Sequence, residues 1–478
     1  MYLKKNKTRS GRIYLSIVEG YYDSERKTTR TRTVRSLGYL DELQKEYDDP
    51  VAYFKSRLQD ERQQKAEPRC MRELTIDTSE TMDTSTEYIQ NFGYLVYSVI
   101  YHRLGLHDFI NNHRRHSQGN YNANSVFRML IFMHLLGADS ALASYEARST
   151  LLENCECTMD DVEDMLAYLA RHKTRLTEYL YDRTSDLYGN DHSILYHYIV
   201  SYELGAHQGY IGLYKDACDL PLAFNTASSQ FDFAARDPYM AKRFEELNFK
   251  KQITVTEMDL NDDIGVWYSH HNVTRHGYIL HLPAAAYDEE LRRFIEDPAG
   301  YNQIFGSYTC KSRANPRVVN LEDKPRERNT KIIYEKQVVF YHRDEPGAVT
   351  VLITSELHED DENIIRHYVG LGRIRNIFRA GPDIMTDYAQ SHFLICYVAL
   401  LITSLIKRDT GDRINTREIM ESVKRSQCIR LQGSYYMFTY YDEVLRLLGE
   451  TYGIDFSRRF RSRKSIREAI ADTKKKRR

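Results

Sequence analysis

Ile194-Leu-Tyr-His-Tyr-Ile-Val-Ser-Tyr202 is β-branched and aromatic, with almost no formal charge. That is the composition of a strand covered on both faces. A two-residue pleat divides it into a row of Tyr196, Tyr198, Val200 and Tyr202 and a row of Leu195, His197, Ile199 and Ser201. Further strand-like runs follow at 210–214, 221–224 and 252–260, with a helix expected over 238–247. The alternation predicts an α/β core built around a buried central strand.

With 478 residues, 42% of them hydrophobic and 12% aromatic, the chain can bury a large core, and its length suggests roughly three domains. Seven scattered cysteines form no Cys-x-x-Cys pair, so neither a disulfide framework nor a zinc site is implied and a reducing cytosol fits. No apolar segment follows the basic start Met1-Tyr-Leu-Lys-Lys-Asn-Lys7, which argues against a signal peptide. The longest apolar run, 393–406, is too short to span a bilayer and reads as a buried helix, so no membrane partner is expected.

The net charge of −1 hides an uneven distribution. Residues 1–36 hold ten Lys/Arg against three Asp/Glu, and residues 456–478 hold eleven against two, which leaves −17 on the body between them. Two basic ends around an acidic body suggest ends that meet a polyanion. Ile13, Leu15 and Ile17 alternate with Tyr14, Ser16 and Val18, and Thr29-Arg-Thr-Arg-Thr-Val34 follows a turn, which is a hairpin pattern. Arg30 and Arg32 fall on one face, spaced to follow phosphates, with Lys4, Lys5, Lys7, Arg9 and Arg12 nearby. A solvated edge strand protected by its charge is the plainer alternative. A helix is expected over 50–64, helical periodicity runs over 88–189, and 277–341 is strand-rich around a short helix at 288–295. A long helix is expected over 360–380.

The central strand with its flanks Tyr188-Gly-Asn-Asp191 and Gly212-Leu-Tyr-Lys-Asp-Ala-Cys-Asp-Leu-Pro-Leu-Ala-Phe224 resembles the first core strands of bacterial insertion-sequence transposases of the DDE type, in the insertion-sequence-four superfamily. Gln252-Ile-Thr-Val-Thr-Glu-Met-Asp-Leu260 resembles the strand that ends at that family's second catalytic aspartate, and Arg373-Ile-Arg-Asn-Ile-Phe-Arg379 resembles its third motif, Ile-Glu-Glu-x-Phe-Arg. Tyr368 stands for that motif's tyrosine; its later lysine has no counterpart, because Pro382 falls there.

The resemblance implies a ribonuclease-H-like core over 190–260 and 348–410 with a β-rich insertion over 261–347. Ahead of these it implies a basic hairpin-plus-helix module at 1–65, expected to bind DNA, and a helical domain at 86–189; behind them, a helical C-terminal region with a basic tail at 411–478. It also implies DNA transposition in a bacterial, nucleoid-associated cytoplasm, with double-stranded DNA of transposon terminal repeats as partner, a homodimer as an open expectation, and Arg373 and Arg379 as further DNA contacts.

In that family three carboxylates hold Mg2+ or Mn2+ for in-line displacement at phosphorus. Here the three positions are Tyr198, Glu257 and Arg375, of which only Glu257 is acidic. Tyrosine is neutral at pH 7. A guanidinium about 5 Å from a divalent ion adds roughly 7 kcal/mol of repulsion at an effective dielectric near 20. Of nearby acids, only Asp259 could share a face with Glu257. The residues therefore lead us to expect no bound metal and no catalysis by this copy. A non-catalytic regulator at transposon ends and the product of a decayed element both stay open. Ser269-His-His271 and Cys155-Glu-Cys157 read as structural or incidental, while for His113-Arg-Arg-His116 a DNA contact and a charged turn between helices stay open equally.

Overall fold

The structure, a computed structural model, describes residues 2–8, 11–23, 28–44, 47, 49–55, 79, 81, 83, 86–113, 121–204, 207–228, 244–257, 264–321, 329–380, 388–431 and 434–475. Backbone contacts divide the chain into two units, Met1–Thr78 and Ser79–Arg478.

In the first unit β1 (Tyr2–Lys7), β2 (Ile13–Asp23) and β3 (Thr28–Tyr39) form an antiparallel sheet with β2 in the middle, followed by the short helix α1 (Leu40–Leu43). The expected hairpin thus gains a third strand. The alternating run of β2 explains it: Leu15, Ser16, Ile17 and Val18 are buried, and a strand with both faces covered needs a hydrogen-bonding neighbour on each edge. Irregularities at Leu15/Ser16 and Ile17/Val18 shift the β2–β3 register. Residues 50–55 are helical; the rest of the helix expected to 64 lies outside the described residues.

The second unit begins with β4 (Ile89–Asn91) and the helices α2 (Leu95–Arg103), α3 (Leu106–His113), α4 (Ala123–Leu136), α5 (Ala141–Glu146) and α6 (Met159–Tyr188). Asn122 caps α4 by accepting from Ser125 N, and Thr158 and Asp161 form a capping box on α6. Next come β5 (Leu195–Leu204), β6 (His207–Lys215), β7 (Pro221–Ala227), β8 (Gln252–Glu257), α7 (Ile264–Thr274), β9 (Gly277–Leu282) and α8 (Glu289–Glu296). Of the helix expected over 238–247, residues 244–247 are helical and the remainder lie outside the described set. The chain continues with β10 (Asn302–Gln303), β11 (Tyr308–Leu321), β12 (Asn329–His342), β13 (Thr350–Thr354), α9 (Asp361–Ile377) and α10 (Ala389–Asp409).

These nine strands make one mixed sheet, ordered β10-β11-β12-β13-β9-β8-β5-β6-β7. β5 pairs antiparallel with β6 and parallel with β8, and β8 pairs parallel with β9. The quoted stretch is therefore an interior strand, buried from Leu195 to Val200. Its two rows part as the pleat requires. Tyr196, Tyr198 and Val200 join the large core with α4, α6, α9 and α10, while Ile199 joins a second core with Trp267, Tyr268 and Leu280. The β-rich segment continues this same sheet beyond β9.

α10 is longer than its apolar run suggested. It is the one helix among the described residues that is long and apolar enough to cross a membrane, yet Ser391–Ile406 are buried throughout by the surrounding protein. It is the core helix.

The C-terminal region is not purely helical. α11 (Thr416–Arg425), β14 (Gln427–Leu431), β15 (Tyr435–Phe438), α12 (Glu443–Tyr452), β16 (Phe460–Ser462) and α13 (Arg463–Lys475) follow in order, and the sheet β16-β15-β14-β4 ties them to the start of the unit. α13 buries Ile466, Ile470 and Thr473, and Thr473 bonds Ser98 on α2 at 3.0 Å. Most of the basic tail is thus an amphipathic helix docked on the core.

Candidate functional site

α9 is positioned by its own sequence. Asp360 caps its start, and Ile364, Ile365, Leu371, Ile374 and Ile377 are buried against the sheet. Tyr198 pairs with Val255, so the pleat puts Glu257, two residues on, on the same face as Tyr198. Two turns of α9 separate Tyr368 from Arg375, and both reach the end of β8. Arg375 Nη2 lies 2.6 Å from Glu257 Oε2, and the Tyr368 hydroxyl donates to Glu257 Oε1 at 3.5 Å. His281, paired with Glu257 across β8–β9, completes the group. Burial lowers its pKa against the pull of Glu257. The second and third motif positions therefore meet, as cation and anion.

Tyr198 does not join them. It is 2% exposed, and its hydroxyl lies 2.7 Å from His367 Nδ1 on α9. Burial raises the Tyr198 pKa well above its ordinary value and pushes His367 down to about 4, so at neutral pH Tyr198 donates and the neutral imidazole accepts. His367 stacks on Tyr196 at 3.9 Å. Behind Tyr198, Lys215 Nζ and Arg373 Nη2 both bond Asp219, at 2.7 and 2.5 Å. Burial, with Arg373 adding to it, drives the 1%-exposed Lys215 down to about 8. Burial also opposes the charge on Asp219, but Arg373 and Lys215 hold that carboxylate well below its usual range.

Asp219 is the acid that sequence reasoning missed. It sits at φ 63° in the turn between β6 and β7, where Asp216 accepts from the backbone N–H of Cys218 and Leu220. Only the packing of that turn against α9 brings it near Tyr198, and the sequence signal was limited to an Asp in the left-handed region of a tight turn. It does not replace the missing ligands. Arg373 and Arg375 are two residues apart on a helix, hence about 200° apart around it, and they carry Asp219 and Glu257 to opposite sides of α9. A divalent ion needs converging oxygen ligands. Tyr198 is neutral and occupied by His367, Arg375 is a cation, and Asp219 is neutralised twice. These residues do not fit Mg2+ or Mn2+, and among the described residues no group of three or more His, Cys, Asp or Glu could hold a metal. Asp259 lies outside the described residues.

The expected DNA contacts divide in the same way. Arg373, half-buried, bonds Asp219, and Arg379, also half-buried, donates to the carbonyls of Asn376, His134 and Ala138, so both are engaged within the protein. Arg12 is bonded to Asp41 and Glu42 and lies over the Tyr39 ring at 3.9 Å. Lys4, Lys5 and Lys7 are exposed on β1. Lys5 and Lys7 share the face of Leu15 and Ile13, and Lys4 takes the other. Arg32 pairs with Glu19 and Arg35 with Ile17, so the irregularity at Ile17/Val18 puts both exposed arginines on the face of Lys5 and Lys7. Arg30 lies within β3, its side chain outside the described residues, as are Arg9 and residues 114–116. His271 Nδ1 bonds the carbonyl of His276, and the Cys155 and Cys157 sulfurs lie 3.7 Å apart with no third ligand among the described residues.

Residues 3–72 match the model for the IS1634 family transposase, N-terminal domain. That match supports an insertion-sequence transposase. No curated protein matches the chain. Among solved structures, a cryo-EM structure of the piggyBac transposase synaptic complex with hairpin DNA aligns over 80% of this chain and 84% of its own, at 8% identity and a TM-score of 0.33. A score that low has no bearing on the fold.

Proposed function

We propose that this chain is a DDE-type, insertion-sequence-four transposase relative that holds DNA without cutting it. The strand order β7-β6-β5-β8-β9, three antiparallel strands followed by two parallel ones, supports a ribonuclease-H-like frame. The observation that carries the loss of catalysis is the Arg375–Glu257 pair at 2.6 Å. A guanidinium stands where the resemblance places a metal-binding carboxylate, and it consumes the one acid that remains. The satisfied Tyr198–His367 bond favours a maintained scaffold over a decayed product, since a buried hydroxyl left unpaired would cost about 1–3 kcal/mol.

The DNA partner is double-stranded, with transposon terminal repeats the sequence to try first. Lys5, Lys7, Arg32 and Arg35 offer cations on one face at every second or third residue, about 7–10 Å apart, suited to successive phosphates. The test has two arms. Band shifts on terminal-repeat duplexes should persist with EDTA and weaken steeply with salt, by a log–log slope near −0.9 per phosphate contact, and Gln at those four positions should flatten the slope. Incubation with Mg2+ or Mn2+ should release no 3′-hydroxyl; metal-dependent nicking lost in Glu257→Gln would overturn the reading.

A further inference from the structure

Among the described residues, Cys155 and Cys157 hold the one pair of cysteine sulfurs in contact, the Cys155 thiol donating to Cys157 Sγ at 3.7 Å. Two residues apart on a helix, they would point about 200° away from each other. Residues 154–158 belong to no helix or strand, so the segment turns both thiols to one side and can tighten without breaking a backbone ladder. It is anchored at each end. Glu153 bonds Arg128 on α4 at 2.5 Å and Lys474 on α13 at 2.7 Å, and the Thr158–Asp161 box fixes the start of α6. The two sulfurs are thereby kept about 1.7 Å short of bonding distance.

The two thiols are not equivalent. Cys155 is 4% exposed, whereas Cys157 is half-buried and reaches solvent. Burial raises both, Cys155 to about 12, but the bond from Cys155 and the nearby charge of Arg148 draw Cys157 back. Cys157 therefore ionises first, and the thiolate is the nucleophilic form. Of the other described cysteines, Cys310, Cys396 and Cys428 are buried and Cys218 is exposed.

We propose that Cys155-Glu156-Cys157 is a redox modification site, at which a hydroperoxide is reduced and a disulfide closes within the loop. The Cys157 thiolate attacks one peroxide oxygen and the O–O bond breaks. The leaving alkoxide, or hydroxide from hydrogen peroxide, takes up the proton that Cys157 gave away, and Cys157 becomes a sulfenic acid. Cys155 then attacks that sulfur, and its proton leaves with the displaced hydroxide as water. Two thiols and one hydroperoxide thus give one disulfide, one water and one alcohol, with a second water in place of the alcohol for hydrogen peroxide. Closure by Cys155 also keeps Cys157 from the irreversible step to sulfinic acid. In a reducing compartment such a bridge is transient, formed by peroxide and reopened by thiols. The inference does not depend on DNA binding.

Both cysteines fall in one tryptic peptide, 149–171, between Arg148 and Arg171. The reduced full chain is treated with hydrogen peroxide, denatured in N-ethylmaleimide and digested. The peptide should appear two hydrogens lighter and unlabelled, and dithiothreitol before labelling should restore two labelled thiols. Cys155→Ser should leave Cys157 as a sulfenic acid trapped by dimedone, or as a sulfinic acid that dithiothreitol does not reduce; Cys155→Ala serves if the serine variant misfolds. Two maleimides on the peptide at a peroxide dose that oxidises the exposed Cys218, or a Cys157 bridged to a different cysteine, would overturn the proposal. So would a Cys157→Ser chain in which Cys155 is oxidised as fast as in the parent.

Discussion

Two ion networks flank α9, and they behave as opposites. On one side Arg375 and Glu257 are 44% and 40% exposed; on the other, Lys215 is 1% and Arg373 20% exposed around Asp219, itself 37% exposed. The exposed pair sits at the motif positions and contributes little to stability, because water screens it. The enclosed cluster sits at no motif position and carries more, because removing its anion strands two cations away from water. The screened pair and the stabilising cluster thus lie on opposite sides of one helix.

The largest effect should come from Asp219→Asn. Asn tolerates the positive φ and keeps the shape, so only the charge is removed. Loss of about 3 kcal/mol is expected by chemical denaturation, the lower end for a broken buried pair given the partial exposure of Asp219. A loss below about 1 kcal/mol would mean that the cluster is as screened as the surface pair.

Restoring the acids sharpens the contrast from the other side. In Tyr198→Asp, Glu257→Asp, Arg375→Glu, Mn2+ at a hundred times its dissociation constant should add about 2.7 kcal/mol, while the parent gains nothing on a thermal scan. The variant must give up the Tyr198–His367 bond, so its stability without metal should fall. If metal fails to stabilise it, the three positions do not converge.

Acid should weaken the enclosed side first. His367 and His392 are both pushed by burial to about 4. From pH 6.5 down to about 4 the unfolded chain takes up protons that the folded chain refuses, so stability present above 6.5 is lost as the pH falls through that window. His367→Gln should make the fall shallower in urea midpoints measured from pH 7 to 4; an unchanged slope would assign the loss to other groups.

The smallest effect should be Arg375→Ala, below about 1 kcal/mol by the same denaturation. A loss as large as that of Asp219→Asn would erase the distinction between the two sides of the helix.

Much of this was legible beforehand, for local reasons. The quoted strand and the apolar spacing of α9 depend on neighbours in sequence, whereas the β5–β8 register that puts Tyr198 and Glu257 on one face is a tertiary pairing. The readings that failed depended on distant partners. Arg373 and Arg379 looked like free cations beside a motif, but Asp219 and the carbonyls of His134 and Ala138 capture them. Most of the basic tail, read from its charge as an end that meets a polyanion, forms a helix that buries Ile466 and Ile470.

By itself the sequence determined the periodicities, and through them the interior strand, the core helix and the residue types at the three motif positions; periodicity and residue type need no knowledge of what lies across the fold. Tertiary structure alone decided which charges are neutralised and which stay in water. The energy of a charge depends on its surroundings within a few ångströms, and those surroundings here come from residues as far apart in the chain as Asp219 and Arg373, or Glu257 and Arg375.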